Sequence, residues 1–214
     1  MKLATGITLL MTIALAQPAL AESKFDREVQ QLGALLVLRE GSVAADIGAG
    51  DGEYAIALSR RVGASGKIYA TELSEEDRED IEAAAREQEA TRVEVASAEL
   101  EATGLPVGCC DGVVLRTVYH HLTAPEPFVR SLFETVRPGG RLVIVDFPPT
   151  IWLALWPPDG VPENRGGHGI TPELVIEELE AAGFVHLETI PKWPSRNLIT
   201  KDYGVVFERP AESR

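Results

Sequence analysis

Short, nearly continuous apolar runs alternate along this chain with longer stretches whose apolar residues recur at helical spacing. The short runs are Val43–Asp46, Lys67–Glu72, Val93–Ala96, Asp111–Arg116 and Arg141–Phe147. Runs of this length, bounded by Gly, Pro or acidic residues, predict strands buried on both faces. The intervening stretches, Glu53 to about Val62, Ser74 to about Ala90 and Pro125–Arg137, carry a helical period. In the last of them Phe128, Leu132, Phe133 and Val136 fall on one face. Lys24–Glu40 precedes the first strand as an amphipathic helix, with Phe25, Val29, Leu32 and Leu36 in register and Leu35 and Leu38 widening the stripe. Strand and helix alternate, which is the pattern of a parallel sheet covered on both sides.

The punctuation agrees. Ser74 is an N-cap followed by Glu75, Glu76 and Asp77, whose charges suit the positive end of a helix. Thr171-Pro172-Glu173 opens a further helix with Pro at its first position. Gly63, Gly183 and Pro138-Gly139-Gly140 act as stops. After the last helix, Phe184–Ile190 and Leu198–Arg209 are expected as two final strands, with a turn at Lys192–Arg196. Pro148–Gly169 fits neither period. It holds Trp152, Trp156 and Gly166-Gly167, and long irregular inserts of this kind often cover a ligand. The two tryptophans would wall an apolar or planar substrate, or simply fill a packing gap.

Composition narrows the picture. A chain of 214 residues, 45% hydrophobic and 25% charged, suits one well-filled domain. The net charge of −13, with no Lys/Arg cluster to reverse it locally, argues against nucleic acid or an anionic membrane as the partner. Residues 1–21 form a distinct block: Lys2, an apolar run from Leu3 to Ala16, Pro18, and Ala19-Leu20-Ala21 before Glu22. That is the pattern of a secretory signal peptide, leaving a domain of residues 22–214. The run is too short for a stable membrane span. The expected location is periplasmic or extracellular, or cytoplasmic if the leader is retained unprocessed. Cys109 and Cys110 are the only cysteines. Adjacent cysteines make a poor bridge, so they are expected to pack as small apolar residues.

The candidate chemistry centres on Val43–Glu53. Its apolar run ends in Asp46 and Ile47 and breaks into three alternating glycines, Gly48, Gly50 and Gly52, just before helical sequence. Glycines permit a sharp turn and close approach of a ligand to the backbone. The second strand ends in Glu72, where an acid can accept hydrogen bonds from a ribose diol. Asp46-Ile47-Gly48-Ala49-Gly50-Asp51-Gly52 with Glu72 resembles the first two motifs of the class I S-adenosylmethionine-dependent methyltransferases. Leu105-Pro106, Asp111-Gly112-Val113 and Arg137-Pro138-Gly139-Gly140-Arg141-Leu142-Val143-Ile144-Val145-Asp146-Phe147 are similar to later segments of that family, so the resemblance runs from Phe25 to Pro210.

The resemblance implies an α/β, Rossmann-like, doubly wound seven-stranded sheet of order 3-2-1-4-5-7-6 with strand seven antiparallel. It implies S-adenosyl-L-methionine as cofactor, with Gly48, Gly50 and Gly52 beneath it, Asp46 ordering the turn toward the methionine end, and Glu72 on the ribose. Glu99 is the residue offered for the adenine, although the family's commoner acid stands one or two positions earlier. Arg116 and Thr117 fall where relatives line the cofactor, and Asp111 where the role is structural.

Transfer of a methyl group from a sulfonium needs alignment and exclusion of water. A base is required only for a nucleophile that arrives protonated. His120, His121 and His168 are the candidates, because imidazole takes a proton near neutral pH. Of the adjacent pair, at most one is expected to face the pocket. His186 is expected to have no role. Asp146-Phe147-Pro148-Pro149 differs in position and residues from the Asp-Pro-Pro-Tyr motif of amine-directed enzymes. With Asp146 the lone carboxylate placed at that edge, no metal site is expected. The acceptor is expected to be a small molecule. Two alternatives stay open: an exported, non-catalytic protein that binds an adenosyl ligand, and a nicotinamide-dependent oxidoreductase, against which the absence of G-x-G-x-x-G counts.

Overall fold

The computed structural model describes residues 22–150, 158–162, 165, 168–195 and 199–211. The proposed leader, Trp152, Trp156 and Gly166-Gly167 lie outside the described residues.

Seven strands form one sheet: β1 (Val43–Ile47), β2 (Lys67–Glu72), β3 (Val93–Ser97), β4 (Cys110–Arg116), β5 (Val136–Asp146), β6 (Val185–Ile190) and β7 (Tyr203–Glu208). Their order is β3-β2-β1-β4-β5-β7-β6. The first five are parallel, and β7 runs antiparallel between β5 and β6. This is the expected α/β, doubly wound arrangement. The helices are α1 (Lys24–Leu35), α2 (Glu53–Val62), α3 (Glu75–Glu87), α4 (Pro125–Thr135) and α5 (Pro172–Ala181).

The apolar strands can be continuous because each face has its own cover. Ala45, Ile47, Val113, Leu115, Leu142 and Ile144 pack with Phe128 and Leu132 of α4 and Val175 and Leu179 of α5. The alternate residues Ala44, Val114, Val143 and Val145 pack with Leu32 of α1, Ala55 and Leu58 of α2 and Ile81 of α3. Full burial of one such side chain contributes about 1.5–3 kcal/mol. Asp111 is structural as expected: its carboxylate accepts the Val43 N–H at 2.7 Å and the Arg137 Nε–H at 2.5 Å, fixing the entries to β1 and β5.

Several boundaries differ from expectation. α1 opens on a capping box between Ser23 and Asp26 but stops at Leu35, short of Glu40, because Val37 turns to φ 54°. Pro138-Gly139-Gly140 does not end the segment before β5. The strand already starts at Val136, paired with Cys110 across a bulge, and Gly139 bonds Arg209. β7 begins at Tyr203 instead of Leu198. Cys109 and Cys110 are joined as a vicinal disulfide, contrary to the expectation of two unpaired residues. Cys109 lies in the turn before β4 and so escapes the alternation that would send neighbouring side chains to opposite faces.

Candidate active site

The carboxyl ends of β1, β2, β4 and β5 share one edge of the sheet, the edge where open α/β folds bind ligands. Asp46 is paired with Ala70 on one side and Val114 on the other, which brings the ends of β2 and β4 level with the glycine turn. Gly48, Gly50 and Gly52 all have positive φ, at 68°, 60° and 75°. A Cβ on Gly48 would stand 2.5 Å from a Val118 methyl, and one on Gly52 2.9 Å from Ile81. A Cβ on Gly50 would meet nothing within 4 Å. Gly48 and Gly52 are therefore held small by packing, while Gly50 presents bare backbone to an open side. Gly52 gives α2 no side-chain cap, so the positive end of the helix faces the turn.

Glu72 reaches across this turn. Its Oε1 accepts the Gly50 N–H at 2.7 Å and its Oε2 the Leu73 N–H at 3.3 Å. A carboxylate has about four acceptor positions, so two of these leave capacity for a diol. A cleft of about 220 Å3 starts here, lined by Gly48, Glu72, Leu100, Val118 and Phe128, and reaches His121. Glu99 lies on the cleft wall, with its own N–H and C=O engaged by Ala102 in a tight loop. Larger hollows, such as one of about 510 Å3 between α4 and α5, lie away from the strand ends.

Asp46 is 2% exposed. Burial pushes its carboxyl up to about 7, against the opposing pull of Arg116, with Glu72 and Asp51 adding to the rise. Arg116, at the end of β4, is held by neighbouring side chains. Its guanidinium lies over the Tyr54 ring and donates twice to Glu28 Oε1, at 2.9 and 3.1 Å. Glu28, in α1, is fully buried and also accepts from Tyr54 Oη–H at 2.5 Å and Trp193 Nε1–H at 2.7 Å. This carboxylate, which the sequence reading missed, fastens α1 beside the cofactor turn. A lone acid on an amphipathic helix carries no sequence mark that it is buried.

The three candidate histidines come together. Tyr119–His121 is a single 3-10 turn after β4, not a strand, and His168 comes over it from the far end of the insertion. Ring centroids are 4.1 Å apart for His120 and His121, 5.1 Å for His120 and His168, and 5.7 Å for His121 and His168. His121 lines the cleft and His120 sits behind it, 2% exposed. Asp146 accepts the His120 backbone N–H at 3.1 Å and contacts its Nδ1 at 2.8 Å. Desolvation, then the His120 and His168 rings, hold His121 below the usual imidazole range despite a partial pull upward from Asp146. The segment carrying His168 is pinned at both ends: Arg165 binds Glu178 and the Tyr119 carbonyl, and the Ile170 N–H donates to the Phe147 carbonyl at 2.9 Å. Thr117, just before the cluster, holds a left-handed φ of 54°. His186 is remote, bonded to Thr189.

A glycine turn under a carboxylate at the switch of a 3-2-1-4-5-7-6 sheet is the architecture of the class I methyltransferases. Residues 45–144 match the family model of the methyltransferase domain. The matched methyltransferase domain and the fold support the class I S-adenosylmethionine-dependent methyltransferase family, and they imply S-adenosyl-L-methionine as cofactor. Among curated relatives, the chain is 27% identical over 115 residues to the ubiquinone/menaquinone biosynthesis C-methyltransferase UbiE of Salmonella arizonae. That match covers 51% of this chain and 44% of the relative, so the chain spans less than half the length of the curated relatives it matches. Among solved structures it resembles a SAM-dependent methyltransferase from Aquifex aeolicus (23% identity, TM-score 0.68, covering 85% of this chain and 89% of that one). It also resembles the [4+2]-cyclase SpnF (17% identity, TM-score 0.70, 87% and 82% covered). Among the described residues no helix is long and apolar enough to cross a membrane.

Proposed function

We propose that the protein transfers the methyl group of S-adenosylmethionine to a small-molecule acceptor that enters the cleft from the histidine side. The observation that carries this reading is the Glu72 carboxylate bonded to Gly50 N–H across a glycine turn whose middle residue is open to a ligand. The bound cofactor supplies a methyl group activated by the positive charge on its sulfur. The protein's part is then positioning and exclusion of water. Glu72 has spare acceptor positions for a ribose, and the Glu99 loop borders the adenine end. Asp46, when ionised, offers a buried negative charge to the methionine end. The apolar walls of the cleft, Leu100, Val118 and Phe128 among them, exclude water. A nucleophile that arrives protonated meets the histidine cluster at His121. A planar or apolar acceptor finds support in those walls and in the quinone-biosynthesis name of the curated relatives. The pattern of residues 1–21 supports export, which N-terminal sequencing of protein from a periplasmic fraction would test.

The deciding experiment is calorimetric titration of the purified protein with S-adenosylmethionine, S-adenosylhomocysteine and NADH, beside Glu72→Ala. Micromolar binding of both adenosyl ligands, lost in the variant, is the expected result, followed by turnover in an acceptor screen. Binding of NADH alone, or no adenosyl binding by folded protein, would overturn it. Adenosyl binding with no turnover across the screen would favour a non-catalytic binding protein, since a fold does not fix an activity.

A further inference from the structure

We propose that His120, His121 and His168 form a site for a single divalent transition-metal cation, with Asp146 fixing His120 from behind. One ring nitrogen from each histidine can be chosen so that all three lie within 4.8 Å of one another. In a tetrahedral site with metal–nitrogen bonds of about 2.0–2.1 Å, ligand atoms are about 3.4 Å apart. Modest side-chain rotations close that gap, and the two outer rings have room to make them, since His121 is exposed and His168 half-buried.

The argument turns on His120. The Asp146 carboxylate has no proton to give when ionised, so the 2.8 Å contact makes His120 Nδ1 the donor. The proton is thereby fixed on Nδ1, and Nε2 is left with a bare lone pair. That Nε2 is buried and has no hydrogen-bond partner among the described residues. An acceptor buried without a donor is costly, and such orphans ask for an occupant. Carboxylate, imidazole and an unoccupied second nitrogen is the arrangement in which a histidine ligates a metal, because the carboxylate sets both tautomer and ring direction.

Asp146 itself is spent. It accepts from the His120 N–H, the His120 ring and the Phe147 N–H at 2.8 Å, so it serves as the orienting group and not as a ligand. The ligand set is then three neutral imidazoles. These suit zinc, cobalt, nickel, copper or iron, and not calcium or magnesium, which want oxygen. Three protein ligands leave a fourth tetrahedral position open, as in catalytic zinc sites. His121 borders the cleft, so that position opens toward it. An acceptor hydroxyl bound there would lose its proton at a lower pH. This use of the cation rests on the methyl-transfer reading; its binding does not. No metal site was expected from a lone carboxylate at this edge; the ligands are instead histidines that the whole insertion separates in sequence.

The test uses tag-free protein stripped with a chelator and titrated with Co2+, read by the visible absorption of nitrogen-coordinated cobalt, then with Zn2+ in competition. One equivalent of Co2+ is expected to bind saturably and to be displaced by Zn2+. His121→Ala and His168→Ala should each weaken binding by at least about tenfold, and Asp146→Asn by about 10–100-fold, with unchanged circular dichroism. No saturable cobalt signal from folded wild-type protein would overturn the proposal. So would equal Co2+ affinity in wild type and in the His121→Ala/His168→Ala double variant, which spares the buried His120 and its fold. S-adenosylhomocysteine binding, measured separately by calorimetry, tells failure of the metal site apart from failure of the methyltransferase reading.

Discussion

The two ends of the cleft are built on different plans. The glycine-turn end, proposed above to hold the cofactor, comes from one contiguous unit, β1, the turn, α2 and β2, with Glu72 returning to Gly50 at the end of the next strand. The histidine end, proposed above to meet the acceptor, is assembled from three separate segments: the 3-10 turn after β4, Asp146 at the end of β5, and His168 beyond the insertion. A local unit tolerates little change, since its geometry is set by backbone turns. An assembled unit can be retuned one segment at a time. In a fold that serves many reactions this division keeps cofactor binding constant while the chemistry opposite it varies.

Glu28 ties α1 to α2 and to the end of β4 through Tyr54 and Arg116, and breaking it is expected to have the largest effect. Glu28→Ala strands the Arg116 guanidinium, 19% exposed, beside Tyr54 without its counter-ion. Loss of one partner of a buried pair costs about 3–5 kcal/mol, and the residual exposure of Arg116 places this case near the lower end. Urea unfolding would measure it. Loss of adenosyl binding without loss of stability would show that α1 serves the cofactor end alone.

Gly48→Ala comes next. Its φ of 68° costs a residue with a side chain roughly 1–2 kcal/mol, and the new methyl meets Val118 on the wall shared with the acceptor end. Thermal unfolding and S-adenosylhomocysteine affinity should both fall. Gly50→Ala has the same backbone cost but open space, so it isolates the ligand-side effect.

Asp46 gives a smaller effect that depends on pH. Its pKa is raised from 3.8 to about 7 in the folded protein. The folded state therefore holds the proton more tightly than the unfolded chain does. The stability this contributes is fully present below about pH 4 and is lost as pH rises through 7. Asp46→Asn should remove that slope, so the melting temperature of the variant relative to wild type should rise between pH 5 and 8, on the order of the pKa window just given. S-adenosylmethionine, being cationic, should bind wild type more tightly as pH passes 7, and the variant without that trend. At the small end, Arg130→Ala removes an exposed ion pair to Glu126 on α4 and should leave melting temperature and binding unchanged.

The glycine turn and the carboxylate that returns to it were legible in the sequence because they are local. A short apolar run, a glycine triplet and an acid at the next strand end lie within thirty or so residues, a span over which motif spacing carries mechanism. The sheet order followed from the resemblance those motifs support, and the structure has it. The rest depends on contacts that sequence distance conceals. Glu28 meets partners 26, 88 and 165 residues away, and in α1 it reads as one more charge on a solvent face. The histidines were each visible as titratable groups, but only the tertiary fold brings the three together. Adjacency alone argued against a bridge between Cys109 and Cys110, and the turn before β4 that accommodates one has no sequence mark of its own.

The Glu28 carboxylate also imposes an order of events on the growing chain. Tyr54, Arg116 and Trp193 reach it in that sequence as synthesis proceeds, and the last donor lies 165 residues beyond the acceptor. Until Trp193 emerges, the charge on the first helix is only partly satisfied, and α1 has reason to stay loose. The charge on α1 is thus fully met only when the donor farthest from it in sequence has been made.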